Sequence, residues 1–199
     1  MASAVALAGG VTTGAVESTT ITSAVDGNEA PAADGGSTLS GSITFTFGGT
    51  DTVGVAGFQC SLDGAAYDAC TSPVDYSALA IGSHTFQVRA FDAAANVDPS
   101  PASFTWTVVT PAQATQNLIS DIADMGLPAG VANSLSAPMD QVSTVLNDSN
   151  PNNDTAACGK LDAFISQVNA KAQSGKLTSD EASQLLEAAN AIKTSEGCP

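Results

Sequence analysis

A change in hydrophobic period at Thr110-Pro111 places the strongest limit on what this 199-residue chain can fold into. Before this point, apolar and polar residues alternate in short runs separated by turn residues, a pattern typical of half-buried β-strands. After it, apolar residues recur about every 3.6 positions, the period of an α-helix. The sequence therefore predicts a β-domain at residues 19–109 and a helical domain at residues 110–199.

The β-domain is predicted to be an immunoglobulin-like β-sandwich of about seven strands. Its clearest strands are "SITFTF", "HTFQVRAF" and "SFTWTV", in which every second residue is apolar. Such residues share one face of a strand and point toward one core. The predicted core consists of Ile43, Phe45, Phe47, Phe86, Val88, Ala90, Phe104, Trp106 and Val108.

The helical domain is predicted to be a small antiparallel four-helix bundle. Gly126 is placed to end the first helix, and Pro138 should kink the second. Thr178 followed by Glu181 forms the sequence signature of a capping box at the start of the last helix.

Two cysteines ten positions apart lie in "FQCSLDGAAYDAC". A zinc knuckle or a thioredoxin-like redox pair would need a Cys-x-x-Cys spacing, and the chain has only one histidine. The intervening Asp63-Gly64 pair instead favours a hairpin turn, which predicts a cross-strand Cys60–Cys70 disulfide.

The other two cysteines are predicted to pair as well, because Cys158 opens the third helix and Cys198 follows the fourth. These positions are the adjoining ends of an antiparallel helical hairpin. The alternative is four free buried thiols. Paired thiols, together with sparse Lys and abundant Ser, Thr, Gly and Ala, predict an extracellular or cell-surface protein.

The charge balance limits the classes of molecule that the protein is expected to bind. Five Lys plus Arg against twenty Asp plus Glu give a net charge of −15. This charge would repel nucleic acids and anionic membrane surfaces, so neither is expected as a partner. The sequence also contains no run of about eighteen apolar residues, so no transmembrane segment is expected.

Calcium is the best small-ligand hypothesis. Oxygen-bearing side chains at Asp51, Asp92, Asn96 and Asp98 lie in turns that could cluster at the ends of the sandwich. The alternative, favoured on frequency, is that these Asp and Asn side chains only cap turns. No other cofactor is expected.

Two sequons, at Asn147 and Asn153, make these asparagines candidate glycosylation sites. No catalytic residues are expected, since any Ser-His or Cys-His system would have to use His84, placed at the start of an outer strand. Tyr67 and Tyr76 are weak candidates for a sugar-binding surface.

The stretch "GVAGFQCSLDGAAYDACTSPVDYSALAIGSHTFQVRAFDAAANVDPSPASFTWTV" resembles the Ig-like repeats of bacterial and archaeal surface proteins. The resemblance covers residues 19–109 and implies a stalk or adhesive module without enzyme activity. The sequence departs from the repeats at Ala95, where they have Gly, so we expect the turn to differ in conformation there.

The helical half contains "LISDIADMGLPAGVANSLSAPMDQVSTVLND" and "LDAFISQVNAKAQSGKLTSDEASQLLEAANAI". Over about residues 113–195 it resembles the module called FIMAH, which ends many secreted bacterial proteins. Pro138, Cys158 and Cys198 are departures from that family.

These observations predict a non-catalytic extracellular structural protein, either a surface stalk module or a subunit of an extracellular appendage or filament. The alternative is a ligand-binding or adhesin module with a carbohydrate or protein partner. Self-association is expected through edge strands or an N-terminal strand. Residues 1–18 form a tail, of which residues 4–16 could insert into a neighbouring copy or form part of the first strand of their own domain.

Overall fold

The computed structural model describes residues 18–147 and 154–199. It contains eight strands followed by four helices. The strands are β1 (Ser18–Asp26), β2 (Gly36–Thr38), β3 (Ile43–Thr50), β4 (Val55–Leu62), β5 (Asp68–Cys70), β6 (Val74–Tyr76), β7 (Gly82–Asp92) and β8 (Ala102–Val108). The helices are α1 (Pro111–Asp124), α2 (Ala129–Asn147), α3 (Asp154–Gln173) and α4 (Ser179–Ser195).

The chain divides into two compact units. Of the described residues, the β unit contains 18–36 and 40–107, and the helical unit contains 37–39, 108–147 and 154–199. The predicted succession of a β part and a part with four helices is thus present. No helix in the described ranges is long and apolar enough to cross a membrane.

The β unit contains two open sheets, with strand orders β1-β3-β6 and β2-β8-β7-β4-β5. The pairs β1/β3, β3/β6, β4/β5 and β4/β7 are antiparallel. The prediction of about seven strands falls one short, because strands of three residues carry too little periodicity to be read reliably from sequence. The expectation that His84 lies on an outer strand is wrong, since β7 is flanked by β8 and β4.

The core of the β unit lies between the two sheets. It confirms the core residues predicted from the alternation of apolar and polar residues. All nine predicted core residues are buried. Phe45 on β3 stacks against Phe86 on β7, with ring centroids 4.2 Å apart, and Trp106 meets Phe45 edge-on at 5.4 Å. Aromatic contacts of this kind stabilise beyond the area that they bury, and here they join one sheet to the other.

Capping residues and a glycine define several of the helix ends in the helical unit. Thr110 caps α1, and Thr178 forms the predicted capping box with Glu181 at the start of α4. Gly126, just beyond the C-cap of α1, has a φ of 66°, a conformation that glycine adopts without strain. Pro138 lies inside α2. Leucine, isoleucine, valine, methionine and phenylalanine side chains from all four helices form one buried core.

Backbone strain is present in the turn between β7 and β8. Ala95, the position where the resemblance described above leads one to expect glycine, has a φ of 65°. An L-residue in this left-handed region costs about 1–2 kcal/mol relative to glycine. The turn therefore retains a glycine-type conformation without the glycine.

We expect Ala95→Gly to raise the free energy of unfolding by about 0.5–1 kcal/mol, because the strain released exceeds the extra chain entropy of glycine. Urea unfolding followed by the fluorescence of Trp106, the single tryptophan, measures this in the β unit. Ala94→Gly is the matched control, since Ala94 is also exposed but is not among the residues with positive φ. Equal or greater stabilisation by the control would contradict the argument.

Candidate functional site

The hairpin of β4 and β5 is closed by a disulfide and contains an Asp-Gly turn. Cys60 and Cys70 form a disulfide with Cα atoms 5.8 Å apart. Between them, Asp63 and Gly64 have φ angles of 51° and 76°, as expected for an Asp-Gly hairpin turn with two left-handed residues. The disulfide therefore joins the two strands of the hairpin, and the turn reverses the chain between the two cysteines, as the sequence predicts.

His84 fastens this turn to β7. Its Nδ1 lies 2.8 Å from Asp63 Oδ2, and its Nε2 lies 2.8 Å from the carbonyl oxygen of Ala80. The other carboxylate oxygen of Asp63 accepts a hydrogen bond of 2.8 Å from the backbone N–H of Thr85. Sequence analysis missed the Asp63–His84 pair, because the two residues lie 21 positions apart and only the strand register brings them together.

The surroundings of His84 favour its doubly protonated form. A carbonyl oxygen and an ionised carboxylate can only accept hydrogen bonds, so both ring nitrogens must donate. The Trp106 ring, with its centroid 5.3 Å from that of His84, also favours a cation. Burial alone would lower the pKa of His84, but the bonds to Ala80 and Asp63 outweigh it and raise the pKa above 6.5.

The pKa of Asp63 is lowered by the same pair. Burial of the carboxylate opposes this effect, and the hydrogen bonds from His84 and Thr85 outweigh it, so the pKa lies below 3.8. Because both nitrogens of His84 already bind acceptors, neither is available to take a proton from a nucleophile. The geometry thus makes His84 a clamp between Asp63 and Ala80 that favours its protonated form.

A second group of side chains lies on the opposite, solvent-facing side of the same hairpin. The guanidinium carbon of Arg89 lies 4.0 Å from the centroid of the Tyr67 ring. Arg89 Nε donates to Gln59 Oε1 at 3.0 Å, and the Tyr67 hydroxyl donates to Gln87 Oε1 at 3.3 Å. All four residues are partly buried.

Tyr67 and Tyr76, the two candidates for a sugar-binding surface, both contact other side chains of the β unit. Tyr67 has one ring face under Arg89. Tyr76 packs on Phe45 and Phe86, and burial raises its pKa.

Each of the four residues proposed for calcium lies in or beside a turn. Asp92 Oδ1 accepts from the backbone N–H groups of Ala94 and Asn96 at 2.8 and 2.9 Å, and its Oδ2 accepts from Asn96 Nδ2 at 2.8 Å. Asp98 Oδ1 accepts from the N–H and the hydroxyl of Ser100 at 2.8 and 3.0 Å. These carboxylates stabilise turns in the manner of Asx-turns.

The acidities agree with these contacts. The side-chain bond from Asn96, followed by backbone bonds, holds the pKa of Asp92 below 3.8 against the effect of burial. Burial acts to raise the pKa of Asp98, and hydrogen bonds, chiefly from Ser100, outweigh it. Asp51 Oδ1 accepts a long bond of 3.3 Å from the N–H of Val53. Within residues 18–147 and 154–199, no three His, Cys, Asp or Glu residues are grouped as metal ligands would be.

Of the two candidate glycosylation sites, Asn147 is the last residue of α2, and its Nδ2 donates to the carbonyl oxygen of Ser143 at 2.9 Å. Asn153 lies outside the described residues.

The second predicted disulfide joins Cys158 on α3 to Cys198 beyond α4, with Cα atoms 5.5 Å apart. The chain has no free cysteine. Four free thiols are therefore excluded, and two structural disulfides point to an extracellular or secreted protein.

No protein-family model matches the chain, and no curated protein matches it. Solved structures with distant similarity include the extracellular domain of a one-component system from B. thetaiotaomicron, with 13% identity, 47% of this chain and 16% of that chain covered, and a TM-score of 0.37. Another is a beta-1,2-glucanase from Parabacteroides distasonis, with 11% identity, 92% and 35% covered, and a TM-score of 0.23. The chain spans only a small part of either protein, and such low TM-scores carry no argument about fold or function.

The Asp63–His84 pair predicts that the stability of the β unit depends on pH with a definite sign. Since the pKa of folded His84 is raised above 6.5, its contribution to stability is complete below about pH 6.5 and is lost as the pH rises through the folded pKa. The contribution of Asp63, whose pKa is lowered, is present above about 3.8 and is lost as the pH falls. We therefore expect the largest contribution of the pair between these two values.

Urea unfolding of the wild type and His84→Gln between about pH 5 and pH 9 measures this contribution. The wild type should be more stable at the acidic end by about 1 kcal/mol, a modest value because Asp63 is partly exposed to solvent. The difference should shrink as the pH rises. A difference that stays constant across the range would contradict a protonated clamp.

The calcium hypothesis predicts a lower thermal midpoint in EDTA than in buffer with calcium, because an ion bound only to the folded state stabilises it. Asp92→Asn and Asp98→Asn should remove the difference if these residues bind the ion. An unchanged midpoint for the wild type would count against a structural ion.

Proposed function

We propose that the protein is a non-catalytic extracellular structural protein, a surface stalk module or a subunit of an extracellular appendage. In this proposal the β unit is an Ig-like domain and the helical unit is a FIMAH-like domain. The observation that carries the proposal is the open outer edge of β1, which supplies a site for strand addition from another copy.

Within the residues that the structure describes, β1 lies at one end of its sheet and β3 is the only strand paired with it. On the outer side, the carbonyl oxygen of Ala24 accepts from the N–H of Ala32, and the N–H of Asp26 donates to the carbonyl oxygen of Ala30, both at 2.9 Å. This segment covers the C-terminal end of the strand. In the part of the chain that the structure describes, no strand pairs with the outer edge of residues 18–23.

The uncovered edge has few of the features that protect edge strands from pairing. Its sequence, "STTITS", contains no Lys, Arg or Pro. A register shift between Ile21 and Ser23 is the one local irregularity. Asp98 already accepts from the backbone N–H of Thr19. An extended segment could therefore continue the sheet by main-chain hydrogen bonds over the short stretch from Thr20 to Ser23.

Residues 4–16 are the proposed occupant. They lie outside the described residues, immediately before β1, and consist of small apolar residues, Thr and Gly with no charge. Such a segment adds a strand without bringing more negative charge to an acidic chain. The rival assignment pairs these residues within their own copy.

The two disulfides and the acidic composition support the same extracellular role. Each unit contains one disulfide, and each disulfide restricts its own unfolded segment. The net charge of −15 favours solubility of the individual subunits.

We expect deletion of residues 1–16 to abolish assembly, as judged by light scattering and negative-stain electron microscopy of the purified protein. Thr20→Lys, which adds an edge-protecting charge to β1, should do the same. Ser103→Lys, at an exposed position on β8, is the matched control and should assemble normally.

A synthetic peptide of residues 4–16 should bind to the truncated protein and raise its thermal midpoint. Thr20→Lys should prevent that binding. Unchanged assembly after the deletion, or peptide binding that is insensitive to Thr20→Lys, would contradict the proposal.

A further inference from the structure

The solvent-facing side of the five-stranded sheet has an unusual charge arrangement. Ten of the twenty acidic residues of the chain precede residue 108, but Arg89 is the only Lys or Arg in that range. Alternation along β7 buries His84, Phe86 and Val88 and turns Arg89 toward solvent. The single fixed cation of the β unit thus lies at the middle of a sheet face.

The strand positions around Arg89 carry no carboxylate. The residues on its face are Thr85, Gln87 and Phe91 on β7, Gly57, Gln59 and Ser61 on β4, and Ser103, Thr105 and Thr107 on β8. Asp68, the exposed first residue of β5, directly follows Tyr67, and other acidic groups lie at the margins of the sheet. Asp34 already accepts from the N–H of Thr105 at 2.7 Å, and Asp63 is engaged by His84 and Thr85.

Hydrogen bonding within the group uses acceptor oxygens and leaves N–H donors for a ligand. Gln59 and Gln87 each use the amide oxygen internally, toward Arg89 Nε and the Tyr67 hydroxyl. Neither amide nitrogen has a partner among the described residues, and the same is true of the two terminal nitrogens of Arg89. Three side chains therefore present N–H groups side by side, a pattern complementary to an acceptor-rich anion.

The donors are held in place before any ligand arrives. Gln59 lies directly opposite Arg89 in the register of β4 and β7. The Tyr67 ring supports the guanidinium plane, and Tyr67 itself lies inside the loop closed by Cys60 and Cys70. A preorganised site loses less conformational entropy on binding than a mobile arginine would.

We propose that this face, defined by Gln59, Tyr67, Gln87 and Arg89, binds the carboxylate of an acidic saccharide of the uronate class. The carboxylate would take the terminal nitrogens of Arg89, and sugar hydroxyl oxygens would accept from the two glutamine amides. The position at the middle of a sheet offers no free backbone edge, the feature by which sheets bind extended peptides. This binding is additional to the structural role, and does not depend on it.

Arg89 is the only arginine, so its Nε–H gives a single side-chain signal in a ¹H–¹⁵N spectrum. Titration of the full chain with oligogalacturonate should shift that signal and the side-chain amide signals of Gln59 and Gln87. Neutral oligogalactose of the same length should not. Absence of shifts with oligogalacturonate, or equal shifts with the neutral sugar, would overturn the proposal.

Arg89→Lys keeps the positive charge but removes the paired N–H donors of the guanidinium group. It should weaken oligogalacturonate binding at least about tenfold. Arg89→Ala should abolish it. Lys176→Ala removes one positive charge from the turn before α4 and should leave binding unchanged. Trp106 fluorescence during urea unfolding establishes that each variant is folded, and the Lys variant provides the test if the Ala variant is not.

Acetate and polyglutamate distinguish the source of the carboxylate. Both should bind more weakly per carboxylate than oligogalacturonate, since neither supplies hydroxyl acceptors to the glutamines. Equal affinity for acetate would show that the sugar is not recognised and would overturn the assignment. Binding of polyglutamate in preference to oligogalacturonate would assign the face to an acidic peptide instead.

Discussion

The alternation of β7 is the constraint on which the β unit depends. This strand runs for eleven residues through the middle of the larger sheet, and every second side chain from His84 to Asp92 is buried. Phe86 among them stacks on Phe45 of the other sheet. A shift of one residue would exchange the two faces and place Arg89 in the apolar core. The same periodicity therefore fixes the core, the clamp and the exposed cation.

The histidine and the arginine of the β unit show how burial determines the partner that each requires. His84 lies inside, where an unpaired positive charge would be strongly unfavourable, and it has a carboxylate and a carbonyl oxygen as partners. Arg89 lies outside, where water can solvate its terminal nitrogens, and its protein partners are a neutral amide and an aromatic ring. The inner cation is thus committed to structure, and the outer one keeps hydrogen-bonding capacity for another molecule.

Sequence periodicity was sufficient for the parts of the structure that depend on residues close together in the chain. The nine core positions, the Thr178 capping box and the Asp63-Gly64 turn all follow from local patterns. The disulfide pairs could be predicted because a turn or a helical hairpin brings each pair together. The three-residue strands could not be predicted reliably, since a strand that short is defined by its neighbours rather than by its own sequence.

The contacts of the candidate site depend on register, which local patterns do not determine. Gln59 lies thirty residues before Arg89, and only the pairing of β4 with β7 places them opposite each other. The sequence did identify Tyr67 as an aromatic residue outside the predicted core. It could not show that Arg89 would cover one face of that ring, and this contact changes the chemistry of the surface. An exposed tyrosine alone would suggest stacking on a neutral sugar. A tyrosine that supports a guanidinium, beside amides whose oxygens are already bonded, offers hydrogen-bond donors and positive charge, and so favours an anion.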